Sequence, residues 1–84
     1  LKGYTDLPHA FISGNFNGWT EPGFPMQKVN DGWEFPIYLS PGKYIYKFVV
    51  NGKWILDPDN PLYENNEYDT GNSVLWIEQD YINK

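Results

Sequence analysis

Eighty-four residues hold the chain to one small domain with one core, because short chains bury proportionally little surface. Cysteine is absent, which excludes disulfide staples and thiolate zinc sites, leaves burial to supply stability and assigns no redox compartment. Eleven acidic side chains against six lysines give a formal charge of -5, the wrong sign for a nucleic-acid backbone or an anionic membrane surface, and the apolar stretches are too short for a helical membrane span.

Helical periodicity is sustained nowhere over the roughly ten residues a helix needs, while seven prolines and eight glycines punctuate the chain, so the expected class is all-β. The chain opens inside what reads as a strand and without a signal-peptide core, which predicts a segment of a longer protein. Residues 10–13 form a short strand. The turn-rich run that follows carries Asn17, Gly18 and Trp19, where an indole has no sheet to hide in and is expected to be exposed. An Asp31-Gly32 turn leads into a strand at 33–39, in which Pro36 has no N–H and predicts an edge or a bulge.

The clearest strand is 44–50. Its alternation puts Tyr44, Tyr46, Phe48 and Val50 on a core face and Ile45, Lys47 and Val49 on the other. Asn51-Gly52 follows directly and then Lys53, Trp54, Ile55 and Leu56, the signature of a type I′ hairpin. A two-residue turn sets Val49 opposite Trp54 and Lys47 opposite Leu56, so Trp54 and Lys47 share the face that the main core does not use. Residues 57–72, rich in Pro, Asn and acid, predict a long loop. A closing apolar strand at 73–77 fits a sandwich interior, and Trp33 and Trp76, each embedded in a strand run, are assigned to the core. The whole is read as an immunoglobulin-like antiparallel β-sandwich of about seven strands over residues 1–79, with 80–84 a tail or linker.

Little of this composition supports catalysis. The only histidine, His9, sits beside Pro8 in a turn and has nothing with which to assemble a nucleophilic triad. Asp57 and Asp59 are spaced as a carboxylate pair, but Asp-Pro-Asp-Asn-Pro reads first as turn chemistry, and a thin sandwich offers no deep cleft. Calcium ligation by Asp57, Asp59, Glu64, Glu67 and Asp69 fails the EF-hand pattern at Pro61, so the acids are read as solvated and no metal or cofactor is assigned. Aromatics, at 19% of the chain, exceed what so small a core needs. An indole, an ammonium and amides on one open face suit a neutral polyhydroxylated ligand, because a flat ring packs on sugar C–H faces while Lys, Asn and Thr serve the hydroxyls. The residue pattern alone leaves that reading level with one in which Trp19 and Trp54 merely cover a sheet edge.

The motifs in order add a resemblance. Ser13 to Trp19, Pro41-Gly42-Lys43 through Asn51-Gly52-Lys53-Trp54, Asp57-Pro58 and Gly71-Asn72-Ser73-Val74-Leu75 together resemble the family 48 carbohydrate-binding modules. These include the glycogen-binding domain of the AMP-activated protein kinase beta subunit. The resemblance implies a non-catalytic module for α-1,4-linked glucan, namely glycogen, starch or maltooligosaccharides, carried within a larger parent chain. By position it implies that Trp19 and Trp54 stack on glucose, that Lys47 bonds sugar hydroxyls, and that Asn72 with Thr70 lines the site. Where kinase-type domains project an aliphatic residue from a slightly shorter loop, this chain has Tyr68, expected to add a stacking surface. The altered loop also motivates an alternative, a protein-interaction module that keeps the fold without sugar affinity.

Overall fold

The computed structural model describes residues 1–66 and 70–78. Among them run eight strands: β1 (Ala10–Gly14), β2 (Phe24–Pro25), β3 (Gln27–Val29), β4 (Gly32–Glu34), β5 (Gly42–Val50), β6 (Lys53–Ile55), β7 (Tyr63–Glu64) and β8 (Asn72–Ile77). One sheet has the order β2-β1-β5-β8-β7 with β6 also on β5, and β3 pairs β4 in a second. All pairings are antiparallel, and no helix occurs among the described residues. The all-β sandwich is therefore the observed class.

The long β5 organises the sheet. Along one edge Tyr46 to Val50 pair with β1. Along the other, Phe48 to Val50 pair with β6 and Gly42 to Tyr46 with β8. Two strands thus share one edge, and the chain must leave β5 after Ile55 to let β8 take its place. Asn51 and Gly52 have φ of 51° and 75°, the two positive values a type I′ turn demands, and Val49 lies opposite Trp54 as the turn chemistry predicts.

The core lies between the sheets. Tyr46, Phe48 and Val50 of β5 pack with Ala10, Met26 and Trp33, ringed by Ile12, Phe16, Phe35 and Ile55. Trp33 is buried as expected, its Nε1 donating to the Tyr4 carbonyl at 3.0 Å. The predicted core face of β5 is the observed one, with Tyr44 only half-buried at its end.

Three expectations need correction. The strand expected at 33–39 ends at Glu34, since Pro36 offers no donor to a ladder, and Ile37 and Tyr38 lie exposed. Trp76 is not core: it is 58% exposed. Its cross-strand partner is Lys43 while Leu75 faces Tyr44, so alternation turns the indole to the outer face, which the β3-β4 pair does not cover. The 57–72 segment is not all loop, because β7 pairs Tyr63 with Ser73 and Glu64 with Asn72. The tail assigned to 80–84 lies outside the described residues.

Candidate functional site

The outer face of β5 carries Ile45 and Lys47, and the fork where β6 leaves and β8 begins opens beside them. Asp57 Nα–H donates to Ser73 Oγ at 2.8 Å, holding the two branches together at that point. Trp54 reaches the face from β6, and Asn72 is the first residue of β8.

Trp19 arrives from the other side. Ser13, fully buried opposite Lys47, donates its hydroxyl to the Thr20 carbonyl at 2.7 Å. Asn17 Oδ1 accepts from Gly14 N–H at 3.1 Å, and Trp19 N–H donates to the Gly14 carbonyl at 2.9 Å. These bonds hold Trp19 at φ 60°, a left-handed conformation that a bulky side chain adopts only where its surroundings impose it. As a result the Trp19 and Trp54 ring centroids stand 6.4 Å apart with planes inclined at 44°. Both indoles are half-buried, so Trp19 is less open than its turn-rich context predicts.

A groove of about 850 Å³ opens at these rings, within the usual range for ligand pockets. It is lined by Trp19, Ile45, Lys47, Trp54, Glu64, Asn65, Asn66, Thr70 and Asn72. The structure thereby brings together Trp19, Lys47, Trp54, Thr70 and Asn72, five of the six residues singled out from sequence. The sixth, Tyr68, lies outside the described residues. Ile45 was placed on this face but not singled out, Glu64 was weighed only for calcium, and Asn65 and Asn66 carry only the signal of an Asn-rich loop.

Lys47 is more enclosed than an open face implies, at 7% exposed. Its ammonium donates to Thr70 Oγ1 at 3.1 Å, and burial pushes its pKa below the ordinary lysine range because desolvation disfavours the charged form. Asn66 organises the neighbouring loop: its Nδ2 donates to Thr70 Oγ1 at 2.9 Å and to the Gly71 carbonyl at 3.3 Å, while its Oδ1 accepts from Thr70 N–H at 3.0 Å. Donors and acceptors are thus fixed beside two rings.

The other polar residues considered from sequence have local duties. Asp57 Oδ1 accepts from Asp59 N–H at 2.9 Å and Asn60 Oδ1 from Leu62 N–H at 2.9 Å, which is the turn chemistry expected of that run. His9 is exposed. Of the acids weighed for calcium, Glu64 pairs with Lys43, and Glu67 and Asp69 lie outside the described residues.

A family model described as the glycogen recognition site of AMP-activated protein kinase matches residues 6–83. Among curated proteins, PTST homolog 2, chloroplastic, of Arabidopsis thaliana is 37% identical over 62 residues, covering 68% of this chain and 12% of that protein. FLOURY ENDOSPERM 6, chloroplastic, of Oryza sativa subsp. japonica is 34% identical over 68 residues, covering 81% of the chain and 12% of that protein. The human 5'-AMP-activated protein kinase subunit beta-2 is 32% identical over 70 residues, covering 83% of the chain and 25% of that protein. The chain therefore spans a quarter or less of the length of these relatives.

Proposed function

The chain belongs to the family of the glycogen recognition site of AMP-activated protein kinase, and on that premise we propose that it is a non-catalytic module that binds α-1,4-linked glucan and serves a longer parent protein. The observation that carries the reading is the inclined pair of indoles, Trp19 and Trp54, in one groove with Lys47, Thr70 and Asn72. Successive glucose units of an α-1,4 chain turn relative to one another, so two ring planes inclined at 44° suit two neighbouring sugar faces. Aromatic packing removes C–H surface from water while the polar rim exchanges hydrogen bonds with hydroxyls. A neutral ligand has no quarrel with a protein of charge -5. Affinity is modest, because a shallow groove leaves much of the ligand solvated.

Titrating maltoheptaose while following tryptophan fluorescence tests this. A saturable change is expected, and Trp54→Ala should weaken it about tenfold or more, the worth of one stacked aromatic and its desolvation. Absence of a saturable change, or binding that survives Trp54→Ala intact, overturns the proposal.

A further inference from the structure

Trp76 is, with Tyr38 and Tyr63, one of the large aromatics among the described residues that neither core nor groove uses. It sits within a regular strand and is 58% exposed, although Trp is highly buried on average. Its ladder position fixes which way it faces. Lys43 is paired with Trp76 and Ile45 with Val74, and Ile45 lines the groove, so Trp76 stands on the groove's side of the sheet. Four residue steps of strand lead to it from Asn72, about 13 Å at the rise of an antiparallel strand.

The space between is bridged by charge. Lys43 Nζ lies 5.9 Å from the Trp76 ring centroid and 2.5 Å from Glu64 Oε1, and Glu64 lines the groove. The combination of groups at the main site is thus repeated: Lys47 with Trp54, then Lys43 with Trp76, the two lysines four residues apart on one face of β5. At both places a flat ring is accompanied by an ammonium donor, the chemistry that suits a sugar face and its hydroxyls.

Building on the glucan reading, we infer that Trp76 and Lys43 form a second stacking subsite that engages a glucan chain long enough to run out of the Trp19–Trp54 groove along β8. The exposed ammonium over the ring is weakly held, and Glu64 retains it at the rim when a sugar covers the indole. Once the groove is occupied, the rest of the chain is presented to Trp76 at high effective concentration, so a contact too weak to bind alone adds affinity. The subsite therefore confers preference for longer chains and is silent toward short ones.

Calorimetric affinities for maltotriose, maltoheptaose and a maltodextrin of about twenty units, measured on the wild type, Trp76→Ala, Trp76→Phe and Trp54→Ala, test this. Trp76→Ala should leave maltotriose binding unchanged, which also reports an intact fold, and weaken the long chain about three- to tenfold, while Trp76→Phe restores much of the loss. If Trp76→Ala leaves all three affinities unchanged while Trp54→Ala lowers them, this subsite is refuted and the glucan reading stands. An equal loss at every chain length with Trp76→Ala also refutes it, and a wild type that binds none of the three overturns both readings.

Discussion

At the scale of single residues, Lys47 is held against its own solvation. Its ammonium is enclosed, its pKa is lowered by desolvation, and its partner among the described residues is a neutral hydroxyl, Thr70 Oγ1, which offsets a buried charge less than a carboxylate does. A fold that needed only packing at this position would be served by an apolar side chain of similar length. Lys47→Met keeps the stem and removes the desolvation cost, and Thr70 Oγ1 still has Asn66 Nδ2 at 2.9 Å. Thermal and urea unfolding should show Lys47→Met as stable as wild type, or more so by about 1 kcal/mol. Maltoheptaose affinity should fall about five- to tenfold through the lost charged donor. Marked destabilisation would make Lys47 a structural residue instead. Asn66, by contrast, was illegible in the sequence, because an amide in an Asn-rich loop looks the same whether it organises a site or faces water.

The hairpin that delivers Trp54 shows what is legible at the scale of elements. A Cβ on Gly52 would meet nothing within 4 Å, so the cost of any side chain there is conformational, set by its φ of 75°. Asn tolerates that region, Ala less so and a β-branched residue least. Urea midpoints should therefore rank Gly52→Asn, then Gly52→Ala, then Gly52→Val, with the last losing about 2 kcal/mol. Glucan affinity should fall in the same order as Trp54 loses its register. An unordered series would mean that the turn does not set the strand. This hairpin could be read in advance because turn chemistry and alternation agree over many residues. Strands β2, β3 and β7 could not, since two or three residues are too few to display a period of two. The apolar run that ends in Trp76 misled for a related reason: alternation assigns faces, but composition does not say which face the second sheet covers. Trp19 was partly legible because its turn-rich context contains no sheet, and the hydrogen bonds that aim it all fall within residues 13–20, yet they leave it half-buried.

Across the whole molecule, the core and the fork between β6 and β8 meet at Tyr46. Its ring belongs to the core, packed edge-on to Phe48 with centroids 5.7 Å apart. Its hydroxyl reaches out to donate to Asp57 Oδ2 at 2.7 Å, and it accepts from Asn60 Nδ2 at 3.1 Å. Asn60 Nδ2 also donates to the Val74 carbonyl at 2.9 Å, so this one phenol ties β5, the turn after β6 and β8 at the base of the fork. Burial first, then Asp57 as acceptor and negative charge, outweigh the opposing Asn60 bond and push the phenol from 10.0 to about 12. A native pKa above the unfolded one means that the stabilisation is complete below pH 10 and is lost as pH rises toward 12. Its size is about 1–2 kcal/mol, less than the full shift implies because the hydroxyl sits among polar partners. Lys47, with its native pKa lowered, works the other way and gains stability as its charge is removed, so wild type alone does not isolate the phenol. Tyr46→Phe does: at pH 9 it should be less stable than wild type by about 1–2 kcal/mol, having lost both hydroxyl bonds. Toward pH 12 that gap should close, since wild type must then place a phenolate beside the Asp57 carboxylate. Urea unfolding of both proteins at pH 9 and near pH 12 reads the difference directly, and a gap that does not change with pH would show that the Tyr46 hydroxyl is not the group that binds the fork to the core.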